Sequence, residues 1–477
     1  MGKVRTRFAP SPTGFMHLGG LRTALYAYLY AKHNGGDFVL RIEDTDRERF
    51  VEGALEVIYS SLLNSGLKYD EGPDVGGNYG PYVQSERKDM YMDYAKKLIE
   101  LGGAYYCFCS KERLESLTDE NGNRKYDKHC LNLSKEEVEE KLKNGEPFVI
   151  RQNIPKEGTS SYEDLIFGTI EVDYDDLEDN ILIKSDGMPT YNFANVVDDH
   201  LMGITHVIRG TEYLSSTPKY NLMYDCFGWE RPTYIHLPTI MKDATRKLSK
   251  RYGDANFDDF ISKGYLEEAI INYVALLGWC PKNNAEKMTV PEMIELFDLS
   301  GISKSPSIFD DVKLRWLNGE YLKAMSDEEF LNRAMPFFEK SSVYGKYDIS
   351  KIAKLIKTRI EIMSDIESKI EFIANYQTFS TSLYENAKQK SNIDVAKTLL
   401  PIIIETIKGL DDFNNDNLFS NLSKTAETAG VKSKTLFYVM RIALTGLEVT
   451  PGGATEIADI LGKEECLYRL NTALNNL

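Results

Sequence analysis

The chain has 477 residues, 42% hydrophobic and 27% charged, with a net charge of −16. This composition excludes a mostly disordered chain, and no run approaches the roughly 20 apolar residues that span a bilayer, so no membrane partner is expected. The acidity would argue against a nucleic-acid partner if it were uniform, but residues 1–50 carry 8 Lys+Arg against 5 Asp+Glu and residues 331–477 carry 18 against 18, so the excess lies between them.

The first residues lead into patterned sequence without an apolar signal core, so a cytoplasmic protein with reduced cysteines is expected. Val4–Ala9 alternates apolar and basic residues, as a strand end does. Pro10-Ser11-Pro12-Thr13-Gly14 continues neither helix nor strand and reads as a turn. From His17, the spacing of Leu18, Leu21, Leu25, Tyr28 and Leu29 predicts a helix, which Asn34-Gly35-Gly36 stops. Phe38–Ile42 is then a short strand, so the chain opens on a βαβ unit and a parallel sheet. From about 80 to 180 the pattern breaks, with three cysteines, a charged helix near Lys135–Lys143 and acidic loops. This segment reads as an insertion. Strand pattern resumes at Ile181-Leu182-Ile183 and at His206-Val207-Ile208-Arg209. After about 255 the pattern is helical, as in Leu266–Leu277 and Lys351–Ile362, and strand signals almost vanish beyond 330.

Two short segments carry chemistry. His17-Leu18-Gly19-Gly20 follows a strand and a turn and opens a helix. Helix N-termini present unpaired N–H groups and partial positive charge, and glycines let a backbone approach a nucleotide closely. An imidazole there can donate to a phosphate oxygen. Lys247-Leu248-Ser249-Lys250-Arg251 places three cations and a hydroxyl on one loop, suited to charge developing on a triphosphate. Taken singly, each also reads as an ordinary feature: a helix start, and a solvated surface loop.

Taken together, and in this order, they resemble the two signatures of class I aminoacyl-tRNA synthetases. Arg7-Phe8-Ala9-Pro10-Ser11-Pro12-Thr13-Gly14 and Arg41-Ile42-Glu43-Asp44-Thr45-Asp46 are similar to the glutamyl/glutaminyl branch. The run Ser185–His200, with Tyr191-Asn192-Phe193-Ala194-Asn195, narrows the resemblance to bacterial-type glutamyl-tRNA synthetases, over essentially the whole chain. The implied fold is an α/β Rossmann-type catalytic domain with an α+β insertion, followed by an all-α anticodon-binding region. The implied boundaries are 1–80 and 181–255 for the catalytic domain, 81–180 for the acceptor-binding insertion, 256–325 for a connecting stem-contact domain and 326–477 for the helical region. Glutaminyl relatives use β-barrels in that last part.

The implied reaction joins glutamate to tRNA(Glu) through a glutamyl-adenylate, with ATP as substrate and Mg²⁺ bridging its oxygens, in a monomer. The resemblance implies that His17, Lys247 and Lys250 stabilise the transferring phosphate, with Gly19, Gly20 and Ser249 completing the ATP site. It points to Arg7 and Arg209 for the glutamate side chain, for which Arg supplies the fork geometry. Glu43 matches the acceptor for the α-ammonium, and Ser11, Tyr191 and Asn195 complete the hydrogen bonding. Without the resemblance, Glu43 reads as a strand-end surface charge and Arg209 as half of an ordinary salt bridge. Cys107, Cys109 and Cys130 raise the question of zinc, which needs four ligands. Relatives with Cys-x-Cys and Cys-x-His carry a His where Asn132 stands, so Tyr126 or His129 would have to be the fourth ligand. A metal-free insertion is the alternative. Lys351, Lys354, Lys357 and Arg359 lie along one amphipathic helix, and Arg359 matches an arginine that contacts the anticodon.

Overall fold

The computed structural model describes all residues except 1, 13, 15, 47–50, 118–124 and 249–255. It divides into two compact units: residues 1–261 with 270–310, and residues 262–269 with 311–477.

The first unit holds all the strands of the described residues. They are β1 (Arg5–Phe8), β2 (Asp37–Leu40), β3 (Ala104–Cys107), β4 (Val149–Gln152), β5 (Thr159–Asp164), β6 (Gly168–Asp173), β7 (Ile181–Ile183), β8 (His206–Gly210), β9 (Thr233–Leu237), β10 (Ile240–Met241) and β11 (Ser307–Ile308). β1 and β2 run parallel, from Arg5 opposite Asp37 to Phe8 opposite Leu40. The helix between them, Leu18–His33, buries Leu18, Leu21, Leu25 and Leu29, the stripe that the spacing predicts. It ends at Asn34, and Gly35 takes a left-handed φ of 63°. Gly36 then passes the Val4 carbonyl so closely that a Cβ would collide with it.

A four-stranded sheet has the order β6-β5-β9-β8. β8 and β9 are parallel, β5 joins β9 in parallel at Asp164 opposite Tyr234, and β6 closes an antiparallel hairpin on β5. β1 lies against the start of β8: Thr205 N donates to Arg5 O at 3.0 Å, and Arg5 N donates to Thr205 Oγ1 at 2.8 Å.

Two strands fall in other places than the sequence pattern suggests. β7, read as the parallel pattern resuming, pairs antiparallel with β4 in the sheet β3-β4-β7. β5, inside the segment read as insertion, joins the parallel array instead. Three apolar residues specify a strand, but only long-range pairing selects its neighbour.

The second unit is helical throughout the described residues. Its core joins Phe330, Phe338, Ile352, Tyr384, Leu399, Ile403, Leu422, Val439, Ile457 and Leu470, all essentially buried. Each such Leu, Ile or Phe stabilises by about 1.5–3 kcal/mol relative to exposure. Arg469 is buried among them and satisfied by the carbonyls of Phe372, Ile373 and Leu444 and by Glu465. Asp348 caps the helix Ile349–Ile356, which stops short of Ile362. The apolar spacing continues across the turn because Ile360 and Ile362 still enter the core. No helix among the described residues is long and apolar enough to cross a membrane.

Candidate active site

At the opening of the helix Leu18–His33, His17 is extended and its Nδ1 accepts a hydrogen bond from Gly19 N at 3.0 Å. The residue therefore acts as an N-cap in the manner of Ser or Asp. An accepting Nδ1 places the proton of the neutral ring on Nε2. No acidic residue lies in the helix's first turn to compete with an anion. A Cβ on Gly19 would lie 3.3 Å from His17 Nδ1, so glycine leaves room for that imidazole.

Lys247 is exposed on a turn that Asp243 organises by accepting from Thr245 N and Arg246 N, both at 3.0 Å. The Arg246 side chain and these turn bonds hold the Asp243 carboxyl well below the usual range. Ser249 and Lys250 lie outside the described residues.

A buried cluster of three arginines and three carboxylates lies behind β1 and β2. Arg41 Nη2 donates to Glu43 at 2.9 Å and Nη1 to Asp199 at 2.7 Å. Arg7 Nε donates to the same Asp199 at 3.0 Å. Arg87 Nε donates to Asp198 at 2.7 Å, and Gln84 and Tyr91 bind that carboxylate too. Glu43 is 5% exposed, so it is not a strand-end surface charge. Burial raises its carboxyl above the usual range, against the pull of Arg41 and Arg7. Burial would also raise Asp199, but Arg7 and Arg41 outweigh it and hold that carboxyl low.

Arg209 has a different setting. It is 5% exposed, and among the described residues no carboxylate forms an ion pair with it. The rings of Tyr213, Tyr220 and Tyr234 lie 4.9–5.3 Å from its guanidinium carbon. Thr217 Oγ1 accepts from Nη2 at 2.6 Å and His236 Nε2 from Nε at 3.2 Å. The alternative of an ordinary salt bridge is therefore excluded. Burial raises the pKa of the Tyr191 phenol, on which Glu43 and Arg209 both act. Its ring is 5.3 Å from Tyr213, and Asn195, one helical turn on, donates to its carbonyl. Ser11 is exposed on the turn whose Pro10 carbonyl accepts from Glu43 N at 3.0 Å. A cleft of about 510 Å³ opens beside Tyr191, lined by Thr45, Lys184, Met188 and Thr190 among others.

The fold thus brings Arg7, Glu43, Tyr191, Asn195 and Arg209 together. Arg41, Asp198, Asp199, Tyr213, Tyr220 and His236 complete the arrangement and were not singled out from the sequence. Arg41 and the two aspartates do stand inside the quoted motifs. Tyr213 and Tyr220 follow Arg209 within eleven residues, in the turn and helix after its strand, whereas sheet order brings His236 to it.

In the insertion, the sulfurs of Cys107, Cys109 and Cys130 lie within 4.8 Å of one another. Tyr126 Oη is 3.3 Å from Cys107 Sγ and 3.4 Å from Cys109 Sγ. His129 is exposed and outside this group. Arg151 Nε donates to Cys107 Sγ at 3.3 Å, and its guanidinium lies 4.3 Å from the centre of the Tyr126 ring. The hydrogen bond from the Cys130 thiol, joined by those of Tyr126 and Arg151, pulls Cys107 toward thiolate. Three sulfurs and a phenol oxygen supply four donor atoms, the number a structural zinc takes.

In the second unit, Lys351 and Lys354 are exposed, while Lys357 reaches Asp327 at 2.6 Å and the Met325 carbonyl at 2.9 Å. Arg359 lies past the helix end, exposed, and donates to the Pro451 carbonyl.

Residues 3–316 match the family described as tRNA synthetases class I (E and Q), catalytic domain, and residues 329–474 match that described as Anticodon binding domain. The chain is 55% identical to the glutamate–tRNA ligase of Clostridium kluyveri and 54% identical to that of Clostridium acetobutylicum, covering 100% of this chain and 99% of each relative. The crystal structure of a glutamate tRNA ligase from Elizabethkingia meningosepticum, in complex with its amino acid, superposes with a TM-score of 0.90 and 37% identity over 100% of both chains.

Proposed function

Because the chain belongs to the glutamate–tRNA ligases of class I, and so joins glutamate to tRNA(Glu) with ATP through a glutamyl-adenylate, we propose the following division of labour among its residues. The observation that carries it is Arg209: a buried guanidinium with no carboxylate ion pair among the described residues, walled by tyrosines. Arg209 receives the glutamate side-chain carboxylate. Arg7, already half committed to Asp199, adds positive charge beside it. Glu43 takes the α-ammonium, and Tyr191, Asn195 and Ser11 complete the hydrogen bonds. Glutamine would leave a buried charge unpaired, which is the cost that rejects it.

With the substrate pinned at both ends, its α-carboxylate stays free to attack the α-phosphorus of ATP. An oxygen–phosphorus bond forms, and pyrophosphate leaves with the electron pair of the broken bond. A ribose hydroxyl of the terminal tRNA adenosine then attacks the acyl carbon, and AMP leaves. His17 Nε2–H and the helix N-terminus, with Gly19 and Gly20, face the nucleotide phosphates, Lys247 and Lys250 neutralise their charge, and Ser249 donates a hydrogen bond. Magnesium bound with the triphosphate would supply further neutralisation of the charge that develops there.

The insertion, 81–180, grips the acceptor end, 256–325 contacts the stem, and 326–477 reads the anticodon with Arg359 near the contact. The catalytic domain is 1–80 with 181–255, joined by β5 and β6 from the segment read as insertion, while β7 pairs within the insertion's sheet. Cys107, Cys109, Cys130 and Tyr126 hold zinc, which would fix the fold of the insertion rather than take part in chemistry. The enzyme works as a cytoplasmic monomer.

Aminoacylation with radiolabelled glutamate, on tRNA(Glu) and tRNA(Gln) in parallel, tests this reading. Charging of tRNA(Glu) at a rate that Arg209→Ala reduces through the glutamate requirement supports it. An unchanged glutamate requirement in that variant removes Arg209 from the pocket. Charging of both tRNAs keeps the site and makes the enzyme non-discriminating.

A further inference from the structure

Arg209 is held from behind by two buried groups on neighbouring strands. In the order β5-β9-β8, Arg209 stands opposite His236, and Asp164, opposite Tyr234, reaches His236 with its side chain. Asp164 Oδ1 accepts from Ile166 N and Phe167 N, both at 2.9 Å. Its Oδ2 accepts from His236 N at 3.1 Å and from His236 Nδ1 at 2.7 Å. All four bonds need Asp164 as acceptor, so His236 carries its proton on Nδ1. The lone pair on Nε2 then faces Arg209 Nε at 3.2 Å. His236 is fully buried, and burial lowers its pKa further, which keeps the ring neutral and the lone pair available.

On the same edge, Thr217 Oγ1 accepts from Arg209 Nη2 and passes its own proton to the Tyr213 carbonyl at 2.8 Å. Together these bonds use one hydrogen of Nε and one of Nη2. Among the described residues Nη1 has no hydrogen-bond partner. The end-on fork of Nη1 and Nη2 is therefore the edge that a carboxylate can take in two parallel bonds.

We propose that His236 is a positioning residue: oriented by Asp164, its Nε2 fixes the Arg209 guanidinium so that the Nη1/Nη2 fork meets the side-chain carboxylate of glutamate. This rests on the reading of Arg209 as the carboxylate receptor. A guanidinium free to swing would lose the fork geometry while keeping its charge.

Two substitutions separate the two halves of the relay in the full-length enzyme. His236→Asn puts an amide where Nδ1 was, keeping Asp164 and missing Arg209. His236→Gln reaches the Nε2 position and keeps an acceptor for Arg209. Glutamate and ATP requirements are measured in tRNA(Glu) charging, with thermal unfolding as the check on folding and Arg209→Ala alongside. The Asn variant should raise the glutamate KM about tenfold with the ATP KM within about twofold. The Gln variant should stay within about threefold of wild type on both. His236→Leu, apolar and of similar volume, replaces the Asn variant if that chain does not fold, with the same rise expected. Equal glutamate KM values in the Asn (or Leu) and Gln variants overturn the proposal. So does an unchanged glutamate KM in the Asn variant while Arg209→Ala raises it, and in that case the Arg209 reading stands. An unchanged glutamate KM in Arg209→Ala sinks both.

Discussion

Asp198 and Asp199 are consecutive in one helix and share Arg41, yet each holds a second arginine of its own. Asp199 lies 2.7 Å from Arg41 Nη1 and 3.0 Å from Arg7 Nε, while Asp198 lies 2.7 Å from Arg87 Nε. Successive helical side chains diverge by about 100°, so adjacent carboxylates can neutralise arginines from different strands and loops.

Replacing Asp199 with Asn should remove charge from Arg7 and Arg41 at once. Breaking a buried pair by removing one partner costs about 3–5 kcal/mol. Denaturant unfolding should show a loss of this order, and the glutamate KM should rise with it. The sign of the pH dependence follows from the depressed Asp199 carboxyl. Its contribution is present above the unfolded carboxyl value of about 3.9 and is lost as pH falls through its lower folded value. The stability gap between wild type and variant should therefore persist at neutral pH and close only at strongly acidic pH. A gap that does not narrow in acid would show that the charge of Asp199 is not its source.

Gly19→Ala should separate stability from activity. Alanine is the better helix former by about 1 kcal/mol, so melting should not fall. The new Cβ would crowd His17 Nδ1 at 3.3 Å and turn the imidazole. Adenylate formation, followed by ATP–pyrophosphate exchange with tRNA present, should slow about tenfold. A rate equal to wild type would mean that the orientation of His17 is not critical to the phosphate step.

Lys250→Ala should slow adenylate formation about a hundredfold, the scale of removing one stabilising group at a transition state. Binding of tRNA, measured by filter retention, should stay near normal. A parallel loss of tRNA affinity would move Lys250 from the nucleotide to the RNA.

Zinc content is expected near one ion per chain in protein purified without chelator. Cys130→Ser should lower it strongly and destabilise the insertion, seen as faster proteolysis between 80 and 180. Wild-type protein with less than about a tenth of an ion per chain would remove the metal from this site.

Local signals made much of this protein legible. The spacing Leu18, Leu21, Leu25 and Leu29 marks the first helix because burial on one face follows the 3.6-residue period. Gly36 marks its end because no other residue fits against the Val4 carbonyl. The Pro-Ser-Pro-Thr-Gly turn, the histidine before Gly19-Gly20 and the run containing Glu43 carry the family in short, ordered motifs. The absence of strand pattern beyond 330 announces the helical half. Each of these is a contact between residues close in sequence, which is why a linear reading reaches it.

Tertiary structure decided the rest. Ile181–Ile183 is a strand by composition, but its edge partner is β4, 30 residues away, rather than the parallel array. Arg209 could have been half of a salt bridge, and its sequence neighbours do not exclude it. Only the meeting of β5, β9 and β8 shows a guanidinium walled by tyrosines, held by His236 and lacking a carboxylate. His129 adjoins Cys130 and Tyr126 lies four residues before it, yet folding places the phenol at the thiols and the imidazole in solvent. Local periodicity and motif order depend on a few successive residues. Partner choice, burial and charge pairing depend on which distant segments meet, and burial is what turns an ordinary arginine into a receptor for a carboxylate.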